Sequence, residues 1–249
     1  MSLLTIFIVC VLTYSTFAEQ GRFKRVLLQG DGDLAAAVQL LTTQVNQLTA
    51  EVANLKQHNN GGAVYIRWGR TVCPMNGTDL LYTGFAAGNF YNDYGAADFL
   101  CLTSDPLWGV YDDAEHSPSA KVYGTEYQFS EQHYANGGTQ FFGKNLHEHD
   151  APCAVCHTSR QASVMIPGRN QCYPGWTKEY SGYLVAGLSG TSHKSPTNYV
   201  CLDSGAEYES SDFRNDNGKL MYMVEAMCGS LRCPPYVQYR EITCVVCSK

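Results

Sequence analysis

Between residues 34 and 55 apolar side chains recur at Leu34, Val38, Leu41, Val45, Leu48, Val52 and Leu55, spaced 4, 3, 4, 3, 4 and 3 apart. An unbroken 4,3 alternation is the heptad pattern of a coiled coil, here with Val at every a position (38, 45, 52) and Leu at every d position. The remaining positions are mostly Ala, Gln, Thr and Asn, so the predicted helix has one apolar stripe and a polar back. Asp31-Gly32-Asp33 supplies N-cap residues and Asn59-Asn60-Gly61-Gly62 a stop and a hinge, which bounds a stalk within 26–62. β-branched a positions with Leu at d lean toward two strands, while the few e and g charges leave a trimer open. The alternative is an amphipathic helix lying on its own head, which ordinarily requires a wider apolar face.

From Ala63 onward the period shortens. Alternating runs such as Val64–Trp68, Lys219–Val224 and Glu241–Val245 are separated by clusters of Gly, Asn, Asp and Pro. That pattern predicts an all-β head with one or two short helices. At the other end, the apolar run Leu3–Leu12 followed by small and polar residues to Ala18 fits a secretory signal peptide over 1–18, with a signal anchor as the alternative. Arg22, Lys24 and Arg25 form an Arg-x-Lys-Arg pattern resembling furin-type convertase sites. Cleavage there makes 19–25 a propeptide and Val26 the first mature residue; the bland reading is a basic cluster.

The head repeats itself. Gly69-Arg70-Thr71-Val72-Cys73 matches Gly168-Arg169-Asn170-Gln171-Cys172, and Tyr82-Thr83-Gly84-Phe85 matches Tyr180-Ser181-Gly182-Tyr183. Leu100-Cys101-Leu102 matches Val200-Cys201-Leu202, and the halves close on Cys153-Ala154-Val155-Cys156 and Cys244-Val245-Val246-Cys247. The pattern predicts a tandem duplication with a pseudo-two-fold head, divided into 63–163 and 164–249.

With Cys10 inside the signal segment, ten of the eleven cysteines remain. An even number in a secreted chain points to five disulfides. Zinc is the competing reading, because both Cys-x-x-Cys pairs have finger-like spacing and His147, His149 and His157 flank the first. The second pair has no nearby histidine, which favours disulfides. Residues i and i+3 of a strand face opposite sides, so the two cysteines of each closing pair reach different partners. Cys228 and Cys233 suit a local staple.

Composition narrows the function further. Apolar residues make up 45% and charged residues 16%, the balance of a packed globular protein. The net charge of −6, without a long basic run, argues against nucleic-acid binding. Asn76-Gly77-Thr78 is an N-glycosylation sequon in a predicted loop. The oxygen-rich stretches 112–116 and 212–218 are of the kind that hold calcium, although ordinary polar turns look much the same. The Phe90–Gly95 turn offers aromatic platforms for a glycan, or sheet-edge residues. His147-Glu148-His149-Asp150 reads as a solvated loop, and no catalytic or metal-ligating set stands out, so an enzyme is not expected.

Gly69-Arg70-Thr71-Val72-Cys73-Pro74, Pro152–Cys156, Ser181-Gly182-Tyr183-Leu184 and Cys228–Tyr236 resemble the C-terminal domain of short-chain, spongin-like collagens of sponges and other invertebrates. The resemblance covers 62–249, and that domain is distantly similar to the non-collagenous C-terminal domain of type IV collagen, an all-β tandem duplication that drives trimer and network assembly. It implies the pairs Cys73–Cys156, Cys101–Cys153, Cys172–Cys247, Cys201–Cys244 and Cys228–Cys233. The chain departs from the family in having no Gly-X-Y segment and in lacking the third and fourth cysteines of the first half. The expectation is a secreted homo-oligomer, dimer or trimer through the stalk, without a membrane span, acting in extracellular matrix assembly or adhesion. The second expectation is a multivalent, lectin-like recognition protein that binds carbohydrate.

Overall fold

A computed structural model describes residues 31–58, 61–130, 132–209 and 214–249. The signal segment 1–18, the basic site at Arg22, Lys24 and Arg25, the start at Val26, Asn59 and Asn60 of the hinge, Asp212 and Phe213, and the side chain of Leu55 lie outside the described residues. Helix α1 runs Asp31–His58, so Gly32 and Asp33 sit inside its first turn. Its apolar line is uncovered: Leu34 is 53% exposed, Val45 59% and Val52 49%. Among the described residues no helix is long and apolar enough to cross a membrane.

The β-rich part, Asn60–Lys249, is one compact unit. Its described residues form ten strands, β1 (Ala63–Trp68), β2 (Thr78–Gly88), β3 (Leu100–Thr103), β4 (Tyr123–Tyr127), β5 (Pro152–Thr158), β6 (Ser163–Pro167), β7 (Thr177–Ala186), β8 (Val200–Asp203), β9 (Lys219–Met223) and β10 (Thr243–Ser248), with one short helix, α2 (Thr139–Phe142). The fold is mostly β and disulfide-rich. β6 begins at Ser163, one residue ahead of the expected division. β10 starts two residues later than the sequence pattern suggests, because Glu241 makes only an isolated bridge to Glu225, and it continues through Cys247.

The two halves use one pairing scheme. β5 lies between β1 and β2, and β2 also pairs with β3 and β4. In the same way β10 lies between β6 and β7, and β7 pairs with β8 and β9. Two parallel contacts join the halves, Trp68↔Leu202 between β1 and β8 and Thr125–Tyr127 alongside Lys219–Met221 between β4 and β9.

The repeated motifs now have physical reasons. Tyr82 donates its hydroxyl to the Cys101 carbonyl at 3.0 Å, and Tyr180 does the same to Cys201 at 3.0 Å. A Cβ on Gly84 would lie 1.7 Å from the Leu102 carbonyl oxygen, and one on Gly182 1.8 Å from that of Leu202, so only glycine lets the neighbouring strand approach. Both cores draw on both halves. The larger gathers Trp68, Phe99, Tyr127, Phe129 and Phe142 with Val185, Leu202 and Met221; the smaller joins Tyr65 and Ala154 to Tyr180, Leu184 and Val246.

Candidate functional site

Five disulfides fix the frame: Cys73–Cys156, Cys101–Cys153, Cys172–Cys247, Cys201–Cys244 and Cys228–Cys233. These are the pairs that the collagen-domain resemblance implies. Each Cys-x-x-Cys sits on a central strand, β5 or β10, and its two sulfurs leave on opposite faces, as the alternation of a strand requires. The outer bonds span 83 and 75 residues. In the chain-entropy account each contributes about 4 kcal/mol by restricting the unfolded chain.

A polar cluster crosses the boundary between the halves. β7 pairs Tyr180 with Val246 and Lys178 with Cys247, which leaves Glu179 as the extra residue of a β-bulge. The bulge turns Glu179 inward, where its side chain is fully buried. Its carboxylate accepts Arg160 Nη2 at 2.6 Å, Tyr65 Oη at 2.9 Å, Thr78 Oγ1 at 3.1 Å and the Ser248 hydroxyl. Burial pushes the Glu179 carboxyl up, but the hydrogen bonds from Ser248, Arg160 and Tyr65 outweigh it and hold the group below its ordinary value. The Tyr65 phenol is raised, first by burial and then by its bond to Glu179.

The sequon abuts this cluster. Asn76 donates Nδ2 to the Lys178 carbonyl at 3.1 Å, its Oδ1 lies 2.9 Å from Thr78 Oγ1, whose one hydroxyl proton is shared with Glu179, and Arg160 Nη1 donates to the Asn76 carbonyl at 3.1 Å. Asn76 is half-buried, in the turn that enters β2.

The Phe90–Gly95 turn is largely committed to packing. Phe90 meets Tyr91 at 4.7 Å and Tyr123 at 5.2 Å, and Tyr91 meets His193 at 4.6 Å. His193 in turn lies 5.6 Å from Tyr222. Of its rings Tyr94 stands clear, at 83% exposed, with Lys194 Nζ 6.0 Å away. Behind this cluster Lys219 is 1% exposed, donating to Ser195 Oγ at 2.8 Å and the Pro196 carbonyl at 3.2 Å. Burial pushes its ammonium down to about 8. Sequence reading missed both Glu179 and Lys219, whose partners lie far away along the chain.

Two loops differ from expectation or are already occupied. Residues 147–149 are half-buried rather than solvated, because Tyr127 and the 148–149 backbone exchange hydrogen bonds and His149 packs at 4.3 Å on Tyr208. In the 112–116 stretch, Asp112 accepts from the Ala114 N–H and faces His116, while Glu115 pairs with Lys121. Among the described residues no group of three or more His, Cys, Asp or Glu is placed to hold a metal ion. No protein-family model matches the chain.

Proposed function

We propose that this protein is a secreted, oligomeric component of extracellular matrix or cell adhesion, with a tandem-duplicated β head related to the C-terminal domain of short-chain collagens. The observation that carries the reading is the uncovered Val/Leu heptad line of α1 ahead of a head held by five disulfides. An exposed a/d stripe of this length lowers its free energy by packing on copies of itself. Five disulfides persist in an oxidising compartment. The stalk then does what the triple helix does in the collagen relatives: it holds heads together so that individually weak head contacts add through effective concentration.

Duplication is supported by the matched pairing schemes, the matched Tyr–Cys hydrogen bonds and the two Gly close approaches. Glycosylation at Asn76 and processing after Arg25 belong to the same secretory reading. The alternative function, multivalent recognition of carbohydrate, shares the stalk-and-head plan. The deciding experiment introduces Val45→Asp and Leu48→Asp into the full chain and compares masses by sedimentation. The wild type should sediment as a dimer or trimer and the variant as a monomer; equal masses overturn the stalk's role. Retention of wild type, but not variant, in a detergent-insoluble matrix fraction favours assembly. Glycan-array binding that vanishes with the stalk favours recognition.

A further inference from the structure

The Gly-Arg dipeptide that opens each half has two different fates. In the first half Arg70 is engaged: Nη2 lies 3.2 Å from Glu207 Oε1 and Nη1 donates to the Gly205 carbonyl at 2.8 Å. In the second half Arg169 has no carboxylate partner among the described residues. Its Nε donates to the Gln171 carbonyl at 3.1 Å, and its guanidinium lies over the Tyr173 ring at 4.2 Å. That stack forms one wall of an open cleft of about 520 Å³, with Tyr236, Val237, Arg240 and Ile242 among the other lining residues. Small-ligand sites commonly fall between roughly 300 and 1,000 Å³.

We propose that this cleft binds an acidic saccharide, a sugar unit carrying a carboxylate or sulfate. Two guanidiniums without ion-pair partners among the described residues supply planar, paired donors for such a group. Two tyrosines and the adjoining aliphatic side chains supply surfaces for the C–H face of a sugar ring. Glu241 also lines the cleft, so its charged lining is two guanidiniums against one carboxylate.

The cleft is built beforehand. Tyr173 follows Cys172, bonded to Cys247, and Tyr236 lies three residues beyond Cys233, bonded to Cys228, so disulfides pin both walls. Gly168, at φ +80°, makes room for one of them, because a Cβ there would lie 2.7 Å from the Tyr236 hydroxyl. Elsewhere the chain is acidic, with a net charge of −6, so attraction of an anion is a property of this place and not of the whole surface.

The inference rests on the extracellular part of the functional reading, for the choice of ligand, and not on the stalk. It is tested by calorimetric titration of the full-length protein with heparin-derived and hyaluronan-derived tetrasaccharides. Neutral chitotetraose and a Glu-rich hexapeptide serve as comparisons. Expected is saturable binding of an acidic sugar at one site per chain, weakened at least about tenfold by Arg169→Ala or Arg240→Ala. Arg232→Ala, at an exposed arginine outside the cleft, should leave it unchanged. Arg169→Lys keeps the charge but not the fork and should still weaken binding, which covers the case in which the alanine variant folds poorly. The proposal is overturned by no saturable binding of either acidic sugar, by unchanged affinity in both the Arg169 and Arg240 variants, or by equal binding of the peptide. Because stoichiometry is counted per chain, a monomeric protein that still binds would sink the oligomer reading and leave this one standing.

Discussion

The halves of the head share a strand scheme and solve one structural problem differently. In the first half the segment between β4 and β5 sends aromatic rings into the larger core. Phe142 stacks on Phe129 at 5.2 Å and meets Tyr183 of the other half at 5.7 Å, with Leu146 fully buried. In the second half the corresponding segment, between β9 and β10, leaves Met227, Tyr236, Val237 and Tyr239 exposed and is closed by Cys228–Cys233 instead. The first half has no cysteines at those places. Apolar burial and a covalent staple are alternative ways of restraining a long connection. The buried route couples the segment to the whole core; the staple leaves its surface open, which is where the cleft lies.

Breaking the aromatic side of this comparison should cost most. Phe142→Ala removes a ring from the larger core and is expected to lower the stability of the oxidised protein by about 4 kcal/mol in guanidinium unfolding. A loss below about 1 kcal/mol would mean that the ring is not structural. Breaking the covalent side should cost less. Its cysteines are 5 residues apart in sequence, so Cys228→Ser with Cys233→Ser is expected to cost about 2 kcal/mol. The effect should also stay local. Hydrogen exchange should rise across 224–242 and remain unchanged across 128–151, and a uniform rise would show that the staple supports the whole head.

Much of the frame was legible in the sequence because its signals are periodic. The 4,3 spacing from Leu34 to Val52 needs no tertiary knowledge, and the matched motifs recur at shifts of 98 to 100 residues, falling to 91 at the closing Cys-x-Val-Cys pairs, which makes the repeat visible. What could not be read depends on side chains meeting over long separations. Leu81 and Glu179 precede the matched tyrosines and occupy equivalent bulges, yet Leu81 is 63% exposed and Glu179 is buried. Nothing local distinguishes those fates. They are set by Tyr65, Thr78 and Arg160, which lie 114, 101 and 19 residues from Glu179. Arg70 and Arg169 look identical in the repeat, and only the fold shows that Glu207 reaches one of them. The short range of sequence patterns also explains the misjudged 147–149 segment, whose polar residues are covered by Tyr127 and Tyr208.

The smallest expected effect concerns Lys219, which the second half buries along with Glu179 and Asp203. Ala87 pairs with Gly124 as Ala186 pairs with Tyr222, so Lys219 stands where the first half has Lys121. Lys121 is exposed and pairs with Glu115, whereas Lys219 reaches across to Phe99, with Nζ 5.5 Å from the ring centre. Burial lowers its pKa to about 8, with only Asp98 opposing the shift, whereas an unfolded chain holds that proton to about 10.5. Over this interval the unfolded state binds more protons than the folded one, so stability rises with pH; below about 8 both states are protonated and the benefit is lost. Between pH 7.5 and 9 the linked gain is about 1 kcal/mol. Tyr222 of the same strand stays out of this window, pushed up to about 12 by burial, and His193, lowered by burial, titrates below it. Lys219→Met keeps an unbranched chain in the same space and removes the proton, so the slope of the urea midpoint over this range should flatten. An unchanged slope would place the titrating group elsewhere. It would also mean that Lys219 enters the seam as a charged residue, as Glu179 does.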